Sequence, residues 1–284
     1  MTDNKRFKRF SEYLESAGNR LHLDIRAADD GAPALLFIPG TGAHAGYYAP
    51  FLDALAAQGF TVAGLDYQGH GRSEGKRGDF TFGGLLDDVN AAVAHVRERF
   101  GERIGAIGSS QGGLLTLYAA AGNGDIKSAV CHNAALLARD GIECTRAPRF
   151  FRATMPFMKL LGALMPGLRL PTWTYLDVND VFRDAENRAA YYADPLTVKR
   201  YTLRAILSLA AAVPPAPLSE IRRPVMIITG DSDNVIPLAV ARRVYEDLSE
   251  PKRLEVIEGA LHMLFLEYLE ESLGPIARWF ADTL

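Results

Sequence analysis

Short apolar runs alternate with longer amphipathic segments over residues 34–134. The runs are typical of strands buried on both faces of a parallel sheet, and the segments between them have helical spacing. "FGGLLDDVNAAVAHVRERFG" shows the helical pattern well, with basic residues late and Gly101 where a C-terminal cap is expected. This alternation predicts an α/β fold with a mostly parallel central sheet and helices on both faces.

The pattern changes between residues 135 and 215, where no strand is predicted. This segment is rich in methionine, proline and aromatic residues, so short helices interrupted by prolines are expected. The α/β alternation then resumes, and residues 20–30 predict an early antiparallel strand. We therefore expect one sheet domain, residues 1–134 and 216–284, with a helical cap inserted at 135–215.

Composition narrows the class of protein. Of the 284 residues, 48% are hydrophobic and 23% are charged, which is typical of a globular protein with a filled core. A formal net charge of −3 argues against a nucleic-acid partner. No signal-peptide core, membrane-length apolar run or metal-binding spacing is found, and Cys131 and Cys144 cannot form a disulfide framework. A cytoplasmic protein without a metal is expected.

The strongest chemical motif is G-x-S-x-G, formed by "GSSQG" between a predicted strand and a predicted helix. In a nucleophile elbow the central serine lies on a strained turn, and the flanking glycines are needed because side chains would collide with neighbouring elements. Ser110 is therefore the candidate nucleophile, and the adjacent Ser109 is not. A chance Gly/Ser turn is the competing interpretation, and the strand–helix context disfavours it.

A nucleophilic serine needs a histidine base and an orienting acid, which follow it along the chain in this kind of fold. Only His262 comes after a late strand, whereas His132 is a candidate pocket residue near the end of an earlier one. The loop "GDSDNVIP" offers two acids. Asp233 lies further into the loop and is preferred, and Asp231 is expected to hydrogen-bond its own backbone in a turn.

The chain resembles α/β-hydrolases of the monoacylglycerol lipase and lysophospholipase type along most of its length. The segment from Asp66 to Gly75 is similar to that family's D-x-x-G-H-G-x-S-x-G pattern, and "GDSDNVIP" and "EGALHMLFLE" are similar to its acid and histidine loops. The resemblance implies an α/β-hydrolase fold, a triad of Ser110, Asp233 and His262, and ester hydrolysis without any cofactor.

Three positions depart from the family pattern. Pro39 stands where the family has histidine, Ser109 replaces the histidine before the nucleophile, and Gln111 replaces a frequent methionine after it. The oxyanion hole is expected to consist of the backbone N–H groups of Thr41 and Gln111, which do not depend on these side chains. The departures leave the triad intact but leave the acyl preference open, and Pro39 has no explanation at this stage.

Two other classes compete with a hydrolase. Glycines at 40, 42 and 46, with Asp66 at the end of the next strand, partly match the dinucleotide-binding pattern of an NAD(P)-binding Rossmann protein. The glycine spacing is one residue off, and this hypothesis leaves the elbow and the two later loops unexplained. A catalytically silent binding module is disfavoured because every triad candidate is present.

The expected reaction is hydrolysis of a small-molecule acyl ester such as a monoacylglycerol, a lysophospholipid or a short ester. Lactonase, peptidase or perhydrolase activity on the same fold stays open, as does a monomer or a homodimer. The cap is expected to set substrate choice, with Tyr175, Tyr191 and Tyr192 as candidates for its entrance. An apolar stripe in the cap suits packing on the core, or an acyl-chain pocket with peripheral contact to lipid surfaces. Its members are Phe150, Phe151, Met155, Phe157, Met158, Leu161 and Met165.

Overall fold

The computed structural model describes residues 7–140, 149–174, 176 and 181–284. The strands within these described residues are β1 (Lys8–Ser16), β2 (Asn19–Ala27), β3 (Ala34–Ile38), β4 (Thr61–Asp66), β5 (Ile104–Ser109), β6 (Ile126–His132), β7 (Arg169–Pro171), β8 (Arg200–Thr202), β9 (Val225–Gly230) and β10 (Lys252–Ile257). The helices of the same described residues are α1 (Ala49–Ala57), α2 (Phe82–Phe100), α3 (Gln111–Gly122), α4 (Leu137–Asp140), α5 (Arg149–Leu164), α6 (Ala185–Ala193), α7 (Leu203–Ala210), α8 (Leu238–Asp247), α9 (Leu264–Glu267) and α10 (Leu269–Thr283).

One sheet organises the fold, with the strand order β1-β2-β4-β3-β5-β6-β9-β10. The pairs from β4 to β10 are parallel, and β1 and β2 add an antiparallel edge. Side chains of β3 alternate between the two faces, so Leu36 and Ile38 enter one core while Leu35 and Phe37 enter the other. The predicted α/β fold with a mostly parallel sheet is confirmed.

Helices cover both faces because each turns an apolar side toward the sheet. Leu85 of α2 and Leu117 of α3 pack into one core, while Leu52 of α1 and Ile276 of α10 pack into the other. Parallel strands joined through such helices bring their carboxyl ends to one edge of the sheet. Residues that follow β3, β5, β6, β9 and β10 therefore gather at this edge.

Both ends of α2 are capped, although only the C-terminal cap was predicted from the sequence, and no acidic residue lies in the first turn. The Thr81 side chain accepts a hydrogen bond from the Gly84 backbone N–H at 3.1 Å. At the other end Gly101 has a φ of 101°, a conformation that favours glycine. Arg97 and Arg99 lie in the last turn, where positive charge is favourable. The predicted C-terminal cap is confirmed.

One local prediction is confirmed and one needs correction. The antiparallel strand expected near residues 20–30 is β2, which pairs antiparallel with β1 and β4. The expectation of no strand between 135 and 215 is wrong, since β7 and β8 form a short antiparallel pair. Strands of this length leave no periodic signal in a sequence.

We call residues 133–224, between β6 and β9, the inserted segment. Within the apolar stripe expected there, Met158 is buried, and Met155 and Leu161 pack against the core. Phe157 and Met165 are instead exposed, at 64% and 53%. The stripe is therefore split between packing and exposure. The side chains of Phe150 and Phe151 and all of Tyr175 lie outside the described residues.

No helix in the described part of the chain has both the length and the apolar content needed to cross a membrane. Across those same residues, no group of three or more His, Cys, Asp or Glu side chains is arranged to hold a metal ion. Cys131 is a free, buried cysteine, and burial raises the pKa of its thiol, which makes it a poor nucleophile. Cys144 lies outside the described residues.

Candidate active site

Ser110 lies on a sharp turn between β5 and α3. Its φ of 55° is unusual for a residue with a side chain and marks local strain. The turn requires close approach on both sides. A Cβ at Gly108 would lie 2.0 Å from the Gly112 carbonyl oxygen, and a Cβ at Gly112 would lie 2.0 Å from that of Ile38. The G-x-S-x-G spacing therefore follows from the packing of strand, turn and helix.

Three side chains from separate loops meet at the carboxyl edge of the sheet. The Ser110 Oγ atom lies 3.0 Å from Nε2 of His262, which follows β10. The Nδ1 atom of His262 lies 2.8 Å from Oδ2 of Asp233, which follows β9. His262 and Asp233 are 3% and 4% exposed. The three residues therefore form a continuous hydrogen-bond chain in which the histidine and the carboxylate are buried and the serine is half-buried.

The electrostatics of Asp233 fix the direction of this chain. Burial favours the neutral acid, but the charge and hydrogen bond of His262 and the backbone N–H groups of Ile236 and Val235 outweigh it, so the pKa of Asp233 lies below its usual value. The carboxylate accepts the proton on Nδ1 of His262. Nε2 therefore keeps its lone pair and accepts the Ser110 hydroxyl.

Asp231, the other acid of this loop, does not reach His262. Its Oδ1 atom accepts a hydrogen bond from the Gly259 backbone N–H at 2.8 Å and another from the Ser232 hydroxyl at 3.0 Å. The expectation that it bonds its own backbone is wrong, because the loop that carries His262 passes beside it. Asp231 ties the acid loop to the histidine loop.

Thr41 lies in a tight loop after β3 that is held from several directions. The Gly42 N–H donates to the Tyr201 hydroxyl at 2.7 Å, and the Gly42 carbonyl accepts from the Val198 N–H at 2.8 Å. The Thr41 carbonyl accepts from the Tyr191 hydroxyl at 3.0 Å. Among the described residues, the N–H groups of Thr41 and Gln111 have no protein acceptor. Two backbone donors are thus left unpaired on either side of Ser110.

The Gln111 side chain is turned inward and is only 5% exposed. Its Oε1 atom accepts the Thr41 hydroxyl at 3.2 Å, and its Nε2 atom donates to the Tyr67 hydroxyl at 3.3 Å. Tyr67 in turn donates to the Gly40 carbonyl at 3.1 Å. The side chain that departs from the family pattern therefore braces the loop that carries Thr41.

A buried histidine supports the same loop from behind, a role that no pattern in the sequence indicated. Nδ1 of His70 donates to the Gln68 carbonyl at 3.0 Å, so Nε2 accepts the Tyr201 hydroxyl at 2.9 Å. Burial lowers the pKa of His70 to about 3, so the ring is neutral near neutral pH. Tyr201 is thereby oriented to accept the Gly42 N–H.

Ser109, which stands where the family has histidine, contacts a histidine from the neighbouring strand, His132. They are paired across β5 and β6, and Ser109 Oγ lies 3.1 Å from Nδ1 of His132. The Tyr48 hydroxyl donates to Ser109 Oγ at 3.3 Å. His132 is completely buried, and burial lowers its pKa to about 3. It lies beneath the site, not at the wall of the pocket as expected.

The carboxylate of Asp66 is fully engaged in structure. It accepts hydrogen bonds from the backbone N–H groups of Ala45 and Arg72, at 2.7 and 3.0 Å, and from His22 Nδ1 at 3.1 Å. It is 1% exposed and cannot contact a ribose. The dinucleotide alternative is therefore wrong. Nothing in the structure explains why proline stands at position 39.

An apolar cavity of about 30 Å³ opens beside Ser110 and His262. It lies between the carboxyl edge of the sheet and the inserted segment. Tyr191 belongs to its wall, whereas Tyr192 lies outside it. The volume of the cavity is far below that of a pocket for a whole ligand, so it marks only the immediate surroundings of Ser110 and His262. The lining consists of Gly40, Thr41, Ala43, Tyr47, Tyr48, Ser110, Leu176, Val181, Phe182, Tyr191, His262 and Met263.

The sheet topology, the helices on both faces and the strained serine turn define an α/β-hydrolase. The sequence profile of the serine aminopeptidase S33 family, Hydrolase_4, matches residues 31–268, and the chain belongs to this family. The resemblance noted from the sequence is confirmed.

Several similar proteins are named as monoacylglycerol or monoglyceride lipases. The monoacylglycerol lipase of Mycolicibacterium smegmatis is 30% identical over 283 residues, covering 94% of this chain and 95% of that protein. The crystal structure of Paleococcus ferrophilus monoacylglycerol lipase has a TM-score of 0.76 at 27% identity, covering 93% of this chain and 99% of that chain. A soluble variant of Saccharomyces cerevisiae monoglyceride lipase has a TM-score of 0.78 at 18% identity, covering 96% and 94%, which shows the shared fold.

Proposed function

We propose that this protein hydrolyses carboxylic esters through an acyl-enzyme formed on Ser110. The observation that carries the proposal is the hydrogen-bond chain from Ser110 Oγ to His262 at 3.0 Å and from His262 to Asp233 at 2.8 Å. A serine–histidine–carboxylate chain of this geometry is the arrangement that activates a serine hydroxyl.

In the first half of the reaction, Ser110 Oγ attacks the ester carbonyl while His262 Nε2 takes its proton. Asp233 keeps the imidazole in the required tautomer and stabilises the imidazolium that forms. The unpaired N–H groups of Thr41 and Gln111 are assigned to the developing oxyanion. One such donor typically lowers the activation barrier by about 3 to 4 kcal/mol.

The tetrahedral intermediate collapses when His262 returns the proton to the leaving alcohol, and the acyl group stays on Ser110. In the second half, His262 removes a proton from water as the water attacks the acyl carbonyl. The acid then leaves and the Ser110 hydroxyl is restored. None of these steps calls for a group other than the side chains and backbone donors named above.

For the substrate, we propose a monoacylglycerol or a similar single-chain ester. The monoacylglycerol lipases of M. smegmatis and P. ferrophilus are similar to the chain over nearly its full length. The cavity walls beside Ser110 are mostly apolar, and Leu176, Val181 and Tyr191 come from the inserted segment. We assign residues 135–215 as a cap that covers the site and sets the acyl preference.

We further propose that α5 brings the cap to the lipid surface in which such an ester resides. Phe157, Leu160 and Leu164 recur at helical spacing and therefore share one face of α5. They are 64%, 62% and 74% exposed, and Met165 continues the patch at 53%. An apolar face of this kind can enter the boundary between headgroups and acyl chains.

Labelling with a fluorophosphonate tests the mechanism, together with turnover of p-nitrophenyl esters of graded chain length. We expect labelling of the wild type, and neither labelling nor turnover in Ser110→Ala. Ser249→Ala, which removes a serine far from the site, is the matched control and should retain both. Failure of the wild type to label, or full turnover by Ser110→Ala, contradicts the mechanism.

The same assay separates the substrate classes. Rates that rise with acyl length support the monoacylglycerol proposal, and a preference for acetyl or butyryl esters points to a short-chain esterase. Aminoacyl p-nitroanilides test the aminopeptidase activity that the family description names. Turnover of these amides above that of the esters would replace the ester proposal while keeping Ser110 as the nucleophile.

A further inference from the structure

The Asp233 carboxylate has four hydrogen-bond donors around it. Its Oδ1 atom accepts from the backbone N–H groups of Val235 at 2.7 Å and Ile236 at 2.9 Å. Its Oδ2 atom accepts from His262 Nδ1 at 2.8 Å and from Asn133 Nδ2 at 2.5 Å. The backbone donors fix one oxygen, so Asn133 is the neutral side chain that fixes the oxygen facing His262.

Asn133 follows β6 directly and is 2% exposed. Its φ of 55° lies in the left-handed region, which asparagine tolerates better than most residues. The amide nitrogen faces Asp233, because an amide oxygen 2.5 Å from a carboxylate oxygen would be strongly repelled. The Oδ1 atom of Asn133 is buried and has no partner in the described part of the structure.

These features are unfavourable for the stability of the fold. A buried oxygen without a partner destabilises the folded state, and the left-handed conformation would suit glycine better. The local backbone therefore does not require an asparagine, since its turn is already held by the Asn133 N–H donating to the Ile228 carbonyl at 3.2 Å. What the side chain adds is its contact with the acid–histidine pair.

We propose that Asn133 is a positioning residue for Asp233 and His262. Its amide N–H holds Oδ2 of Asp233 at the position where it accepts the His262 Nδ1 proton, and this keeps Nε2 directed at Ser110. The role rests on the proposed function, because it is exercised only if His262 acts as the base. It extends the site to the end of β6, which supplies none of the three triad residues.

The geometry has a further consequence for position 133. Asn133 Nδ2 lies 3.1 Å from His262 Nδ1, so a carboxylate at this position would be within hydrogen-bond reach of the same proton. In the double variant Asn133→Asp/Asp233→Asn, the charge moves to position 133. The amide at position 233 can still accept from Val235 and Ile236 through its oxygen. The exchanged pair therefore keeps the same set of donors and acceptors.

The pH dependence of kcat reports on Asp233 and His262, because few other titratable groups lie near them. Within the described residues, the polar and titratable side chains that face His262 are Asp233, Ser110, Asn133 and, at a ring-centre distance of 5.8 Å, His132. Burial lowers the pKa of His132 to about 3, so it stays neutral through an assay between pH 5 and 9. A carboxylate that loses a neutral donor holds the histidine proton more strongly. Loss of the Asn133 amide should therefore move the acid limb of the kcat profile to higher pH.

Asn133→Gly is the first test, because glycine accepts the left-handed backbone and removes only the amide. We expect thermal stability equal to or above that of the wild type, a kcat lowered about tenfold with little change in KM, and the shift of the acid limb. Asn123→Ala is the matched control, since Asn123 lies at the end of α3 and bonds Asn90 at 2.9 Å. Its kcat and pH profile should equal those of the wild type.

The charge exchange is the second test. Asp233→Asn alone should lower kcat about a thousandfold or more, and the double variant Asn133→Asp/Asp233→Asn should regain at least tenfold of that loss. A wild-type kcat and pH profile in Asn133→Gly, or a double variant no more active than Asp233→Asn, overturns the role of Asn133. Full activity in Ser110→Ala overturns the proposed function instead, so the two failures are distinguishable.

Discussion

The hydroxyl of Thr41 donates a hydrogen bond to Oε1 of Gln111 at 3.2 Å, so the two residues that flank the candidate nucleophile are joined through their side chains. Their backbone N–H groups are the proposed oxyanion donors. A donor stabilises the oxyanion best when it is already held in place before the negative charge develops. The bond between the Thr41 and Gln111 side chains therefore links the two proposed donors, which follow different strands.

Replacing Gln111 with methionine, the residue frequent in the family, tests this link. Gln111→Met keeps the backbone N–H but removes the bonds to Thr41 and Tyr67. We expect kcat to fall about tenfold, with a smaller change in KM, because the donors lose alignment in the transition state. The measurement is a double-mutant cycle with Thr41→Val on a p-nitrophenyl ester. The double variant should lose little more than either single variant, whereas fully additive losses would show that the side chains act separately.

Gly42→Ala tests the shape of the Thr41 loop. A Cβ at this position would lie 2.5 Å from the Val198 carbonyl oxygen and 2.6 Å from the Tyr191 hydroxyl, at a φ of 71°. We expect the loop to shift, with stability lowered by about 1 to 3 kcal/mol and a marked loss of kcat. Gly18→Ala is the control, because Gly18 has a φ of 80° and a Cβ there would meet no atom within 4 Å. It should lose stability only, and equal activity in the two variants would contradict the prediction.

The contact between His44 and Asp194 links the Thr41 loop to the inserted segment and predicts a pH-dependent stability. His44 Nε2 lies 2.7 Å from Asp194 Oδ2. Burial raises the pKa of Asp194. The hydrogen bond and charge of His44 and the Leu196 N–H lower this pKa by more than burial raises it, so the net pKa lies below its ordinary value of 3.8. A depressed carboxyl pKa contributes stability that is complete above the ordinary value and is lost as the pH falls through the folded value.

Asp194→Asn should therefore lower the free energy of unfolding by about 1 kcal/mol at pH 7. The difference from the wild type should shrink as the pH falls below about 4. Thermal unfolding from pH 8 to 3 measures both effects. Asp125→Asn, which removes a surface pair with Arg97 at 2.7 Å, is the control and should change stability little. A deficit that stays constant with pH would show that the carboxylate charge is not involved.

The exposed face of α5 predicts a dependence on the physical state of the substrate. Phe157→Ser/Leu160→Ser should lower the rate on monoacylglycerol in phospholipid vesicles several-fold while leaving the rate on a dissolved p-nitrophenyl ester unchanged. Val213→Ser, which changes an apolar residue of 68% exposure elsewhere, is the matched control. Equal losses on both substrates would indicate a packing defect, and no loss on vesicles would contradict the lipid contact.

The sheet and the order of the chemical residues were predictable because they leave local signals. Buried strands appear in the sequence as apolar runs. The tight turn around Ser110 requires glycine on both sides, so the five-residue G-x-S-x-G motif identifies it. Asp233 and His262 each follow a late strand, so their convergence with Ser110 follows from a parallel sheet. Local patterns of this kind depend on a few adjacent residues.

The supporting residues were not predictable, since they depend on which strands are neighbours. Ser109 meets His132 only because β5 pairs with β6, and Asn133 meets Asp233 only because β6 pairs with β9. Gln111 was noted as a departure, but its bond to Thr41 requires knowing how the loop after β3 lies against α3. Strand order and register are absent from a single sequence, so these contacts required the structure.

The inserted segment holds the loop after β3 through hydrogen bonds to the backbone of Thr41 and Gly42. These bonds are made by Tyr191, Val198 and Tyr201. A displacement of this part of the inserted segment would remove the hydrogen bonds that shape the loop. The proposed oxyanion donors would then lose their positions. These three hydrogen bonds must therefore persist while a substrate is bound if the proposed oxyanion donors are to keep their positions.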